Sequence, residues 1–190
     1  VQVGESFVGT GESSAHVNVV LGARDGPVAT AWATALATPS AGHTPFVVVA
    51  KPGLPVQPFT LFVNKATITD DRHAKLTWGA AQAGVAAGVI DALEAEVLTV
   101  PGDLLLIVAV WVDPKASDEQ AVYANNREAT YGALSLAIAG LPSEDEVIDA
   151  KDEVWNPFFR PQAQPAAPPA AAPPAAAPPA APPPAAPPPA

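Results

Sequence analysis

Apolar and polar residues alternate along some stretches of the chain and recur at helical spacing along others. Between residues 15 and 21, Val17, Val19 and Leu21 fall on one side of an extended strand, and His16, Asn18 and Val20 on the other. The opening Val1-Gln2-Val3 predicts a partner strand, joined to it through the turn residues Gly9-Thr10-Gly11-Glu12-Ser13-Ser14. Residues 60–68 repeat the pattern: Leu61, Val63, Lys65 and Thr67 share one face, Phe62, Asn64, Ala66 and Ile68 the other. Residues 46–50 predict a short strand. Residues 104–112 are apolar throughout, as in a strand covered on both faces.

Three stretches follow the 3.6-residue period instead. Asp25-Gly26-Pro27 opens a helix with Val28, Trp32 and Leu36 on one stripe, ended by Pro39. Thr69-Asp70-Asp71 caps a second helix, whose stripe is Val85, Val89, Leu93 and Val97. Its Gly79, Gly84 and Gly88 disfavour the helix, so they predict close packing of a backbone or ligand, or a break near Trp78-Gly79. Ser117-Asp118-Glu119-Gln120 has capping-box spacing, and the helix it opens carries Leu134, Ile138 and Leu141 before Gly140-Leu141-Pro142 stops it. The order is roughly β-β-α-β-β-α-β-α. Several strand pairs are joined by short turns, which predicts an α+β layered domain rather than a doubly wound parallel sheet. The glycines lack Rossmann or P-loop spacing, so nucleotide binding has no positive support.

Composition narrows the possibilities. Residues 161–190 hold 14 Pro, 14 Ala and 2 Gln and no charge, leaving about 160 residues for one domain with a real core. The net charge of −10 and the absence of a Lys/Arg cluster argue against nucleic acid. With no Cys, neither disulfides nor thiolate metal sites form. No apolar run predicts a membrane span and no signal-peptide pattern is visible, so the expected location is cytoplasmic. The chain does not begin with Met, so the expectation is a start after a removed segment, or a fragment. Residues 1–142 form the predicted domain, residues 143–160 an acidic, aromatic linker, and residues 161–190 a disordered, polyproline-like spacer.

Candidate chemistry sits on the alternating strands. His16 and Asn18 share a face, and so do Lys65 and Thr67; four polar groups converging from two strands would make a small ligand pocket, against the alternative of a solvated sheet face. His16 is the natural acid/base candidate, because an imidazole titrates near neutrality. His43 is expected in a loop and His73 in the first turn of a helix, both as ordinary surface residues. The three histidines are too scattered for a metal triad. Asp113 is expected to be a strand-end polar residue.

Several segments in combination resemble the formaldehyde-activating enzyme family. They are Val3-Gly4-Glu5-Ser6-Phe7-Val8-Gly9, Ala15-His16-Val17-Asn18, Gly26-Pro27-Val28, Gly42-His43-Thr44-Pro45-Phe46, Leu54-Pro55, Thr60-Leu61-Phe62-Val63-Asn64-Lys65-Ala66-Thr67-Ile68, Gly79-Ala80-Ala81-Gln82 and Asn126-Arg127-Glu128-Ala129-Thr130. The resemblance runs from Val1 to about Pro142. It implies a two-layer α/β sandwich resembling the second domain of ribosomal protein S5, and homopentamers with sites at subunit contacts. It implies a hydro-lyase of one-carbon metabolism, methylotrophy or formaldehyde detoxification, which condenses formaldehyde with the co-substrate tetrahydromethanopterin to the 5,10-methylene derivative and water. No metal or prosthetic group is implied.

By the same resemblance His16 is the catalytic general acid, and Asn18, Val47, Lys65, Thr67 and Gln82 contact the pterin. Position 18 departs from the family pattern, which has Asp there; an amide cannot take up a proton. The alternative is therefore a non-catalytic homologue that binds a pterin or a formaldehyde adduct as carrier or sensor. Asp113 stands where His is usual, aromatic residues are usual near Asn125 and Arg127, and Ala80 stands where Pro is common.

Overall fold

The computed structural model describes residues 1–161. The expected Pro/Ala spacer lies, apart from Pro161, outside the described residues. Strands β1 (Gln2–Val8), β2 (Ala15–Ala23), β3 (Phe46–Val47), β6 (Phe59–Asn64) and β7 (Leu104–Trp111) form one sheet in the order β1-β2-β7-β6-β3. Its pairings are antiparallel except β6 with β7, which run parallel. Two further short strands, β4 (Val49–Lys51) and β5 (Leu54–Pro55), make a separate hairpin. The single 46–50 strand expected from sequence is thus divided at the buried Val48, whose N–H bonds the Thr60 carbonyl.

The helices are α1 (Pro27–Ala37), α2 (Asp71–Lys75), α3 (Gln82–Glu94) and α4 (Glu119–Ala139). Asp70 caps α2 by accepting the His73 N–H. Asp118, rather than Ser117, caps α4 by accepting the Ala121 N–H, and Gly140 ends it in the left-handed conformation that an L side chain resists. Between α2 and α3 the chain makes a π-helical turn, Leu76–Ala81, at the break expected near Trp78-Gly79.

Burial explains the layers. Ala15, Val17, Val19 and Leu21 of β2 and Leu106, Val108 and Val110 of β7 are buried with Val85, Val89, Ala129, Ala133 and Leu134 of α3 and α4. Close approach makes this seal possible. A Cβ on Gly4 would strike the Ala133 carbonyl, and one on Gly88 would lie 2.5 Å from the Arg127 carbonyl oxygen and 2.8 Å from Thr130 Cβ. Gly84 and Gly88 therefore serve backbone-to-backbone packing of α3 on α4, whereas a Cβ on Gly79 would meet nothing within 4 Å.

The opposite sheet face is covered only in part. Helix α1 crosses β2 and β7 at one end, where a Cβ on Gly22 would meet Val28. Of the stripe predicted for α1, Val28 is buried and Leu36 is 38% exposed, so only its first turn is sealed. Strand β7 is not covered on both faces as its composition suggests: Leu105, Ile107, Ala109 and Trp111 are only half-buried. Its second face is apolar but opens at the end that α1 does not reach.

The compact unit of the fold is Val1–Val147, and a second unit begins at Ile148. Helix α5 (Glu144–Asp149) lies in the acidic segment. Within the second unit a local turn pairs Asn156 with Phe159, and Arg160 stacks over the Trp155 ring at 4.4 Å.

Gly88→Ala is expected to lower unfolding stability by about 1–3 kcal/mol, because a backbone carbonyl cannot rotate away from the new methyl. Urea denaturation measures it; unchanged stability would show that α3 and α4 can separate freely.

Candidate functional site

The open face of the sheet carries its side chains in two rows. The register pairs Phe7 with His16 and His16 with Trp111, and Lys65 follows β6 at the same level, its N–H bonding the Val110 carbonyl at 2.7 Å. One pleat along, Glu5 pairs with Asn18, Asn18 with Ala109, and Ala109 with Val63. Polar contacts run diagonally between the rows. His16 Nε2 donates to Glu5 Oε1 at 2.9 Å, and Lys65 Nζ donates to Asn18 Oδ1 at 2.7 Å. Lys65 must span β7 to reach β2, about 10 Å at two strand spacings, and the small Ala109 lies between Val63 and Asn18 in that row.

Partial burial tunes this set. Desolvation lowers the His16 pKa below its ordinary 6.5, the Lys65 ammonium lowers it further, and Glu5 opposes both. At neutral pH His16 is therefore mainly the neutral imidazole. Donation from Nε2 to Glu5 then leaves Nδ1 with a lone pair. Desolvation also brings Lys65 down to about 8, with Glu5 opposing. Its contact partner Asn18 is a neutral amide, which cannot hold the ammonium as a carboxylate would.

Thr67 falls outside this set. Residues 60–68 do not form one strand, because β6 ends at Asn64. The Asn64 side chain is buried and donates to the Ala66 carbonyl at 2.8 Å and the Gly42 carbonyl at 2.7 Å. This local bond competes with the sheet ladder and turns the chain. Thr67 sits in the turn and bonds His43 instead. His43 Nδ1 donates to the Asn64 carbonyl at 2.9 Å, so in the neutral ring Nε2 accepts the Thr67 hydroxyl proton, also at 2.9 Å. Both Thr67 lone pairs are thereby left to accept from a ligand.

Val47 and Gln82 belong to a third place. They line a cavity of about 370 Å³ with Thr44, Phe46, Val49 and Trp78. Strand β3, which carries Val47, lies three strand positions from β2, about 14 Å across the sheet. Gln82 accepts from the Val49 N–H at 3.2 Å and donates to its carbonyl at 3.3 Å, fixing β4 on the start of α3. One N–H and one lone pair of its amide remain.

The other candidates resolve as structural. His73 is not a surface residue: it is 1% exposed, with Nε2 donating to the Val112 carbonyl at 3.1 Å and Nδ1 accepting the Thr69 N–H at 3.3 Å. The ring bonds the backbone just past the end of β7, so it faces inward. Asp113 accepts the Lys115 N–H in a turn. Asn125 ties α4 to the β1–β2 turn through the Ser13 carbonyl. Arg127 makes a two-pronged pair with Asp91, at 2.6 and 2.7 Å, which raises its own pKa and lowers that of Asp91. That pair borders a cavity of about 620 Å³ between α3 and α4, also lined by Glu94 and Glu128, whose one cation, Arg127, is already engaged with Asp91. Among the described residues no group of three His, Asp or Glu side chains is placed to hold a metal ion, and no helix is long and apolar enough to cross a membrane.

Glu5 was not a candidate from sequence. Its signal is the alternation of Val3, Glu5 and Phe7 opposite Gly4 and Ser6, but only the register with β2 aims it at His16.

His43→Ala is expected to cost about 1 kcal/mol of stability and to speed hydrogen exchange at the Ile68 N–H, which bonds the Gly42 carbonyl at 3.2 Å. Urea denaturation and amide exchange measure the two effects; unaltered exchange at Ile68 would mean that His43 does not hold the turn.

The chain matches the family described as "Formaldehyde-activating enzyme (Fae)" over residues 3–159, so the match extends past Pro142 through the acidic segment. It is 40% identical over 158 residues to a "5,6,7,8-tetrahydromethanopterin hydro-lyase" of Methanosarcina barkeri, covering 82% of this chain and 89% of that protein. It is 39% identical over 160 residues to a "Bifunctional enzyme Fae/Hps" of Methanosphaera stadtmanae, and 36% identical over 159 residues to one of Archaeoglobus fulgidus. Each alignment covers 83% of this chain, which spans only 39% and 40% of those two longer relatives. By the extent of the family match and the near-full-length identity to the Methanosarcina barkeri protein, this chain belongs to the formaldehyde-activating enzyme family.

Proposed function

We propose that this chain is a carbon–nitrogen lyase of the hydro-lyase class, condensing formaldehyde with tetrahydromethanopterin to 5,10-methylenetetrahydromethanopterin and water. The observation that carries the proposal is the hydrogen-bonded set of Glu5, His16, Asn18 and Lys65 on an open sheet face. Those residues lie in a chain whose family acts on formaldehyde. The catalytic domain is residues 1–142, with the acidic segment and Pro/Ala tail outside the chemistry.

The chemistry needs a proton moved more than a bond forced. A pterin nitrogen adds to formaldehyde unaided and gains a positive charge as the aldehyde oxygen becomes an alkoxide. The alkoxide takes a proton from solvent to become a hydroxyl, the nitrogen must lose its own proton, and the hydroxyl must leave as water. A neutral imidazole can do the last two in turn: His16 takes the proton from nitrogen and, as imidazolium, gives it to the departing hydroxyl as general acid. The second pterin nitrogen then closes on the iminium carbon and loses its proton to solvent, replacing the one the alkoxide took. Holding both nitrogens near that carbon contributes through proximity.

In this assignment Asn18 accepts a pterin N–H through its second carbonyl lone pair, and Lys65, Thr67 and Gln82 hold the pterin while Val47 packs on it. The separation of Val47 from His16 by three strand spacings supports a site shared between subunits of a homopentamer. The cytoplasm is the proposed location.

The second reading, a non-catalytic pterin or adduct carrier, is favoured by one observation: Lys65 is bound to an amide at the position where the family pattern has a carboxylate. Asn18→Asp separates the two. It alters the rate of an enzyme whose Lys65 contacts position 18, and leaves a carrier inactive.

The deciding experiment is the rate of methylene-tetrahydromethanopterin formation with the spontaneous reaction subtracted. The expected result is a clear increase over background, with His16→Ala losing about a hundredfold to ten-thousandfold. Pterin binding without acceleration would favour the carrier, and an undiminished His16→Ala would remove His16 from the mechanism. In the pH profile of kcat/KM an acid limb is expected below 6.5, where His16 gains its proton. Glu5 favours the imidazolium, so Glu5→Gln should move that limb to lower pH; a shift upward would reverse the electrostatic assignment.

A further inference from the structure

We propose that Lys65 is a covalent acceptor of formaldehyde, its Nζ adding to the aldehyde carbon and carrying the one-carbon unit as an iminium to the pterin. Three features of its setting support this. Nζ donates to the uncharged Asn18 Oδ1 at 2.7 Å, while the nearby carboxylate, Glu5, is engaged by His16. The side chain lies on the open sheet face, half-buried yet reachable from solvent. His16 stands in the same row, separated from it by Trp111 of β7, and is the proton carrier that dehydration requires.

Only the free amine attacks a carbonyl, so the state of Lys65 matters. With its pKa brought to about 8 by desolvation, about a tenth of Lys65 is amine at pH 7. A carboxylate at position 18 would favour the ammonium and suppress that fraction. The substitution that departs from the family pattern thus arms the lysine beside it.

The steps balance without an oxidant or reductant. The Lys65 nitrogen lone pair forms a C–N bond to formaldehyde, and a proton passes from nitrogen to the former carbonyl oxygen, giving a carbinolamine. A proton from the His16 imidazolium lets the hydroxyl leave as water, and the nitrogen lone pair forms the iminium. A pterin nitrogen adds to that carbon and gives up its proton. Protonated Lys65 then departs as the free amine, leaving the iminium on the pterin. The second pterin nitrogen closes the ring and loses its proton. The sum is formaldehyde plus the pterin giving the methylene derivative and water.

The inference rests on formaldehyde being the substrate, and it is tested without the pterin. The full chain is treated with formaldehyde and cyanoborohydride at pH 7, which reduces an iminium to a stable N-methyl group, and methylation at each lysine is read by peptide mass spectrometry. Lys65 is expected to be methylated faster than the exposed Lys51 and Lys115, despite its partial burial. Asn18→Asp is expected to slow labelling at Lys65 by about tenfold or more while leaving Lys51 unchanged. Labelling at Lys65 no faster than at the exposed lysines, or unaffected by Asn18→Asp, overturns the proposal. Selective labelling in a protein that does not accelerate methylene-pterin formation would sink the condensing-enzyme reading and leave the covalent site standing. Full turnover in Lys65→Arg, with its fold verified by circular dichroism, would do the reverse.

Discussion

Everything in this fold depends on one strand being sealed on one face only. Strand β2 buries Ala15, Val17, Val19 and Leu21 against α4 and its neighbours, at a distance that Gly4 makes possible in the adjoining strand. That apolar contact fixes the register, because a one-residue slip would turn His16 and Asn18 into the core and expose the valines. The chemistry on the other face is held in place by packing on the reverse side. The polar groups need not stabilise the sheet, so their charges and hydrogen bonds are free for other work.

The same division sets the electrostatics. Helix α1 covers only one end of the second face, so His16 and Lys65 sit neither in water nor in the core. Partial desolvation draws both basic groups toward their neutral forms. Glu5 resists from the edge strand but spends its close contact on His16. With an amide at Asn18, no carboxylate directly contacts Lys65 among the described residues. A face that is apolar around Trp111, Ala109, Val63 and Phe7 and basic at its centre suits a flat, nitrogen-rich partner better than it suits water.

Asn125, Arg127 and Asp113 all have structural employment. Asn125 pins the β1–β2 turn, and Arg127 locks α4 to α3 through Asp91. Asp113 closes a turn. None of these side chains touches the His16 set, so they change how the scaffold is fastened rather than what the open face presents. Asn18 is different, because it sits within hydrogen-bond reach of Lys65.

Local pattern alone determined the alternating face of β2, the caps at Asp70 and Gly140, the close-packing glycines of α3 and the α+β order. These follow from the two-residue period of strands, from backbone groups needing partners at helix ends, and from glycine's missing Cβ, all of which act within a few residues. His16, Asn18 and Lys65 were legible as candidates for the same reason. Tertiary structure decided what those residues meet. The strand leading to Lys65 stops at Asn64 because that side chain finds the Gly42 and Ala66 carbonyls, one of them far off in sequence. Thr67 consequently pairs with His43, and His73 turns inward to the Val112 carbonyl. Glu5 reaches His16, and Lys65 reaches Asn18, only because the register and strand order bring them together. Periodicity states which way a side chain points; which partner waits there depends on contacts between segments far apart in the chain.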